Sequence, residues 1–257
     1  MTEADLDGIR ADVASWRYRV QEVETGEGRV VVKRQRPARS AWRAHAVNLL
    51  ARLFRLRLLQ VVPAHGGGKG QAVEIERLRR LAAAGARVPA VRHVDPGFIV
   101  IEHLEGTRLV ELIERGGDAG FDAWQRGLAA RVELHGRGGY LSHAFARNFI
   151  ATRAGLAMID FEDDPLEAMA IDEAQARDWL AYLNSTAWLL QRDAAAITAA
   201  VASQLERERA SVRDLVEAAG TRLAVLRHLP RSRRTWGREV VGVQALASLF
   251  PLQSLRA

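Results

Sequence analysis

The chain contains no cysteine. Disulfides and thiolate metal sites are therefore excluded, and such a composition suits a reducing compartment, with the cytoplasm as the expected location. Long apolar runs are also missing. Nothing in the sequence is long and apolar enough to span a bilayer, and the opening MTEADLDGIR is polar and acidic, so neither an anchor nor a signal peptide is expected. A third absence is local. From Gly28 to Val73 there is no Asp or Glu, while Arg29, Lys33, Arg34, Arg36, Arg39, Arg43, Arg52, Arg55, Arg57 and Lys69 supply ten positive charges. The whole chain nets only +6, so the residues outside this stretch carry four net negative charges. A basic segment on a mildly acidic body points to one surface that faces an anion, with nucleic acid, anionic lipid and phosphorylated sugar as candidates.

What is present has the makings of a folded chain: 257 residues, 48% hydrophobic and 26% charged, enough for one large domain or two lobes sharing a cleft. Residues 16–36 predict a β-hairpin, with WRYRVQEVE and RVVVKRQ as strands around the turn TGEG. Residues 41–60 predict a basic amphipathic helix. Trp42, Ala46, Leu49, Leu50, Leu53 and Leu56 fall on one stripe, and His45, Asn48, Arg52 and Arg55 on another. GGGKG, residues 66–70, is expected to be a flexible linker. It is not a phosphate-binding loop, because that loop needs Ser or Thr after its lysine and a preceding strand. A second helix is expected over 71–84, then two short strands near 90–94 and 97–102 about the turn Asp95-Pro96-Gly97. The remainder predicts helices over 107–115, 121–137, 172–192 and 193–218, with FIAT and AMID as two short strands between them. No internal repeat is visible. The fold class is α+β: a small sheet-rich part over 1–101, carrying the basic insertion at about 38–70, and a larger helical part over 102–257.

Four features carry chemistry, and they occur in a telling order. Lys33 ends the strand VVVK after a turn containing Gly26 and Gly28, where backbone amides could approach a phosphate. Glu74 lies on the following helix, one turn before Leu78, where it could pair with that lysine. FIVIEHLEGTRL is a buried strand opening into a polar loop, exposing backbone groups near Glu102 and Leu104 to a flat heterocycle; a connector with no ligand is the competing reading. Asn148 and Asp160 flank a hairpin, and an amide oxygen beside a carboxylate suits Mg²⁺. Against that, IDFEDDP also carries Glu162, Asp163 and Asp164, so an acidic surface turn competes.

Together, VVVK, the glutamate helix ending AAAGARVPA, IVIEHLEGTRL, ELHGRGGYLSHAFARNFI and MIDFEDDP resemble the protein-kinase-like fold over roughly residues 20–190. More narrowly they resemble the bacterial lipopolysaccharide kinases that phosphorylate Kdo or heptose. The resemblance implies a bilobal fold that uses ATP and Mg²⁺. It implies Lys33 on the nucleotide phosphates, Glu74 as its ion-pair partner, Glu102 and Leu104 facing adenine, and Asn148 and Asp160 as metal ligands. It further implies His135 as a structural histidine and Asp178 as the aspartate that braces the catalytic loop. Three positions depart from the family pattern: the third glycine of the turn is missing, Glu162 follows Asp-Phe where glycine is usual, and His143 stands where a catalytic aspartate is expected. An imidazole, with a reference pKa of ~6.5, can accept a hydroxyl proton at pH 7–8, so His143 is the candidate base.

The expected partners are a nucleotide, an anionic sugar or lipid acceptor, and an anionic membrane surface met by residues 41–60 at the cytoplasmic face of the inner membrane. Nucleic acid is not expected, because no recognition module is visible and aromatics do not interleave with the basic residues. The basic, apolar stretch RSRRTWGREVVGVQALASLFPL repeats the pattern of the insertion. A pseudokinase, binding nucleotide without turnover or acting as a scaffold, is the alternative.

Overall fold

The computed structural model describes residues 1–37, 58, 62, 65–190, 192–224 and 249. The expected helix 41–60, apart from Leu58, and the basic C-terminal stretch, apart from Leu249, lie outside the described residues.

Two turns build the small sheet. Strand β1 (Val20–Thr25) pairs antiparallel with β2 (Gly28–Arg34), placing Val20 opposite Lys33. Gly28 takes a φ of 111°, which few residues other than glycine adopt, and this closes the hairpin. The second turn, at Asp95–Gly97, joins β3 (Val91–Val94) to β4 (Phe98–Glu102). All pairings are antiparallel and the order is β1-β2-β4-β3, so Lys33 sits on an inner strand, opposite Ile99. The expected strand from residue 16 begins only at Val20; a short 3₁₀ turn over residues 13–15 precedes it.

Alternation across this sheet decides where Lys33 points. Successive strand residues face opposite sides, so Val30 and Val32 join Phe98 and Val100 on one face, over Ile9. Ile9 belongs to α1 (Glu3–Asp12), a helix the periodicity does not announce. Its signal is the Thr2–Asp5 capping box: the Asp5 N–H donates to Thr2 Oγ1 at 3.2 Å, and the Thr2 N–H to Asp5 Oδ2 at 2.8 Å. The opposite face, with Ile99 and Ile101, packs on Ile75, Leu78 and Leu81 of α2 (Gly67–Ala83). Lys33 shares that face.

Helix α2 corrects the expected linker. Gly67–Gly70 form its first turn, although glycine costs a helix interior about 1 kcal/mol relative to alanine. Packing overrides the propensity: a Cβ on Gly70 would come within 2.4 Å of the His65 carbonyl oxygen. The Gly67 N–H also donates to the Arg36 carbonyl at 2.8 Å, tying the start of α2 to the end of the lysine strand.

The rest is mainly helical: α3 (Leu109–Glu114), α4 (Gly117–Gly136), α5 (Ile171–Thr186), α6 (Ala194–Leu205) and α7 (Ala210–Leu223). One continuous apolar core runs from α2 to α7, with Trp124, Trp179 and Tyr182 fully buried. A small ribbon, β5 (Thr107–Arg108), β6 (Phe149–Thr152) and β7 (Gly155–Met158), holds the hairpin expected between Asn148 and Asp160. The helix expected from 107 starts at Leu109, because Thr107 and Arg108 pair with β6; a Cβ on Gly106 would meet the Ala151 carbonyl oxygen at 2.3 Å. The single helix expected over 193–218 is two helices. It breaks between Leu205 and Ala210, where Glu208 turns inward to buried partners. Overall the chain is a mixed α+β protein with small antiparallel sheets. Among the described residues no helix is long and apolar enough to cross a membrane.

Candidate functional site

Lys33 leaves β2 on the α2 face, and Glu74 occupies the first buried turn of that helix. Their side chains form a direct ion pair, each more than nine-tenths buried. Burial works against the Lys33 ammonium, but the attraction of Glu74 and Glu162 outweighs it and holds the group above its ordinary value. A buried pair of this kind is a costly way to gain stability, which marks it as a candidate site.

The pair opens on a cleft of about 770 Å³, within the range of small-molecule sites. The structure places Lys33, Glu74, Glu102, Leu104, Asn148 and Asp160 on its lining. Asn148 closes a 3₁₀ turn, Ala146–Asn148, immediately before β6. Its Nδ2 donates to the His143 carbonyl at 2.9 Å and lies 3.5 Å from Asp160 Oδ2, and among the described residues its Oδ1 has no hydrogen-bond partner. Asp160 follows β7 with a φ of 74°, and Ser142 has a φ of 77°. Among the described residues they are the two non-glycine residues with positive φ, and they bracket the loop and hairpin that present Asn148.

No group of three or more His, Asp or Glu side chains among the described residues is arranged to hold an ion. An amide oxygen and one carboxylate suit Mg²⁺, which keeps waters and takes phosphate oxygens rather than an all-protein cage.

Two expected residues behave differently from the others. Glu102 gives its carboxylate to Arg87, at 2.8 and 2.6 Å, and this bidentate bond holds the carboxyl below the usual range. Only its backbone is left to meet a ligand. His143 does not line the cleft; its Nε2 lies 3.5 Å from Asp163 Oδ2, and its ring stacks on Phe145 at 5.9 Å.

Other residues at the site were visible in the sequence only as charges, and Glu162 and Asp163, expected as a competing acidic surface turn, are buried. Glu162 is buried and receives Arg19 on Oε1 and Arg36 on Oε2, the latter at 2.7 Å, with Lys33 Nζ 3.5 Å from Oε1. Burial alone would raise the Glu162 carboxyl, but Lys33 and Arg19 hold it below its ordinary value. Arg36 also reaches Asp163 at 3.2 Å. Arg77, buried on α2, donates to the Tyr140 carbonyl at 2.8 Å and stacks on the Tyr140 ring at 3.9 Å, linking that helix to the start of the loop.

A second ionic cluster braces the same loop from below. Asp178 Oδ2 accepts the Leu141 N–H at 2.5 Å and faces His135 Nε2 at 3.3 Å. His135 Nδ1 meets Glu208 Oε1 at 2.7 Å, and Trp179 Nε1 donates to the same oxygen at 2.8 Å. Arg131, fully buried, lies 3.8 Å over the Trp179 ring, and burial pulls its guanidinium down to about 10. His135 and Asp178 were legible as bracing residues; Glu208, which joins them from outside α7, was not.

In comparisons with known proteins, no family model matches the chain and no curated protein matches it.

Proposed function

We propose that this chain is a kinase-like phosphotransferase of bilobal, protein-kinase-like fold, using ATP and Mg²⁺. Its acceptor is a hydroxyl on a lipopolysaccharide-type sugar or another anionic envelope component at the cytoplasmic membrane face. The observation that carries this reading is the buried Lys33–Glu74 pair opening on the same cleft as Asn148 and Asp160. In this reading Lys33, fixed by Glu74, neutralises the nucleotide phosphates. Asn148 Oδ1 and Asp160 hold the metal, and the backbone near Glu102 and Leu104 meets adenine. Bound Mg²⁺ supplies charge neutralisation on the phosphate oxygens. His143 takes the proton of the acceptor hydroxyl as that oxygen bonds to the γ-phosphorus and ADP leaves. The arginines of the insertion, Arg39, Arg43, Arg52, Arg55 and Arg57, attract the anionic surface on which such an acceptor sits.

A specific observation favours a second reading, a catalytically impaired nucleotide-binding scaffold: Glu162 already engages Lys33, and the candidate base is an imidazole tied to Asp163. The deciding experiment is thermal unfolding with and without Mg²⁺ and ATP, followed by transfer from labelled ATP to lipopolysaccharide-type acceptors. A ligand that binds only the folded state stabilises it by about 2.7 kcal/mol at a hundredfold excess over Kd. Wild type is expected to show this gain, and Asp160→Ala to lose its Mg²⁺-dependent part. No gain in wild type would overturn both readings. Transfer by His143→Asp but not by wild type would select the scaffold.

A further inference from the structure

Three cations converge on one carboxylate at the back of the cleft. Arg19 comes from just before β1, Lys33 from within β2 and Arg36 from just after it, and all three turn to Glu162. The side chains are 31%, 9% and 13% exposed, and that of Glu162 10%, so the cluster is largely withdrawn from water. Arg19, Lys33, Glu74 and Glu162 line both the main cleft and a narrow recess behind it, and Arg36 lies on that recess. Glu162 is thus the partition between the cleft and Arg36.

Charge and shape suggest what the partition stands in for. A carboxylate offers two oxygens, here shared among three donors. A phosphoryl group offers three, and two guanidinium forks beside an ammonium match it better. With Glu162 in place, the three cations face four carboxylates: Glu74, Asp160, Glu162 and Asp163. With Glu162 swung aside, they face three, and the seat is one charge more positive toward an incoming anion. Nothing in the single-residue reading of Lys33 requires the two arginines.

We propose that Arg19 and Arg36 are polyphosphate-binding residues, forming with Lys33 a three-cation seat, and that the Glu162 carboxylate fills this seat until an anion displaces it. The proposal rests on the nucleotide reading above only for the identity of the anion. It predicts that Glu162 opposes ligand binding, in contrast to every other residue assigned to the cleft.

Calorimetric titration with three probes tests it: inorganic tripolyphosphate with Mg²⁺, ATP with Mg²⁺, and adenosine alone. Glu162→Gln keeps the shape and removes the charge. It should bind Mg²⁺-tripolyphosphate and Mg²⁺-ATP about tenfold more tightly than wild type, a change of ~1.4 kcal/mol, with adenosine unmoved. Adding Arg19→Gln or Arg36→Gln should cancel that gain. The arginine variants made in wild type should weaken both polyphosphates, which keeps the test decisive even where Glu162→Gln does not fold. The proposal is overturned where Glu162→Gln binds tripolyphosphate no better than wild type, where the arginine variants lose nothing, or where no form binds tripolyphosphate. The nucleotide reading fails separately: tripolyphosphate responding as expected while no form binds ATP would keep the seat and discard the kinase. ATP bound equally by wild type and all three variants would do the reverse.

Discussion

Two ionic clusters meet the same loop, and they differ in what encloses them. His135, Asp178 and Glu208 have side chains between 0% and 3% exposed, and their hydrogen bonds, to one another, to Trp179 and to the Leu141 N–H, all lie inside the helical core. Arg19, Lys33, Arg36 and Glu162 lie at 9% to 31%; Arg19, Lys33 and Glu162 line the cleft, and Arg36 lines the narrow recess behind it. The first cluster can only be kept or broken. In the second, a carboxylate can exchange for another anion without exposing a bare charge to apolar surroundings. Each cluster also adjoins a histidine beside an aspartate, His135 with Asp178 in the first and His143 with Asp163, which Arg36 also reaches, next to the second, so the contrast can be tested like against like.

The largest expected effect is on turnover. His143→Ala should lower phosphotransfer by roughly 10²–10⁴, the usual worth of a general base, while leaving the unfolding midpoint and nucleotide affinity near those of wild type. Steady-state transfer measured beside a melting curve checks both halves. An equal rate in the variant would leave positioning by Asn148 and Asp160 to carry the reaction. Next comes Asp178→Ala, which strands His135 and the Leu141 N–H in the core and should cost about 3–5 kcal/mol of stability. Urea unfolding measures this, and Lys33→Met in the same assay should cost clearly less, since Glu74 then faces the cleft. Equal losses would erase the distinction between the clusters.

A smaller effect concerns pH. Burial would raise the Glu208 carboxyl, but the bonds from His135 and Trp179 outweigh it and hold it below the ordinary value. A lowered folded-state value means that the contribution is complete above the unfolded carboxyl pKa of ~4.3 and is lost as pH falls through the folded one. Glu208→Gln should therefore be less stable at pH 7 by ~1.5–3 kcal/mol, the worth of hydrogen bonds to a charged group. The gap should narrow below about pH 4.3. Melting temperatures taken from pH 7 down to pH 3 would expose a gap that stays constant, which would place the bond strength elsewhere. The smallest effect is at the cleft rim. Arg87→Gln removes the partner of Glu102, and because Arg87 is 42% exposed the cost should be ~0.2–1 kcal/mol. A loss of several kcal/mol in urea unfolding would mean that the rim is part of the core.

Legibility in the sequence followed the range of the interaction. The hairpin around TGEG, the strands about Asp95–Gly97 and the FIAT–AMID pair came from local alternation and turn residues, and the structure contains them all. The order of Lys33, Glu74, Asn148 and Asp160, through the resemblance it carries, implied one site, and the structure places all four on one cleft. What stayed hidden was ionic and distant. Arg36 meets Glu162 across 126 residues and Arg19 meets it across 143, with no periodicity to announce either contact. Glu208 looked like one more helix charge until the break after Leu205 turned it inward. The glycines at 67–70 misled for the opposite reason: propensity argued against a helix, yet one starts at Gly67, with Gly70 too close to His65 for any side chain.

Ser142 and Asp160 carry a consequence for anyone who would improve this protein by selection. Both hold a left-handed backbone that an L-residue takes at a cost of roughly 1–2 kcal/mol, and the Ser142 hydroxyl is buried with no hydrogen-bond partner among the described residues. Glycine at either position relieves the backbone, and at 142 it also removes the orphan hydroxyl. A library sorted for heat resistance alone would therefore drift toward glycine at both sites. At 160 it would discard the carboxylate that faces Asn148, trading the proposed metal site for a more durable shell.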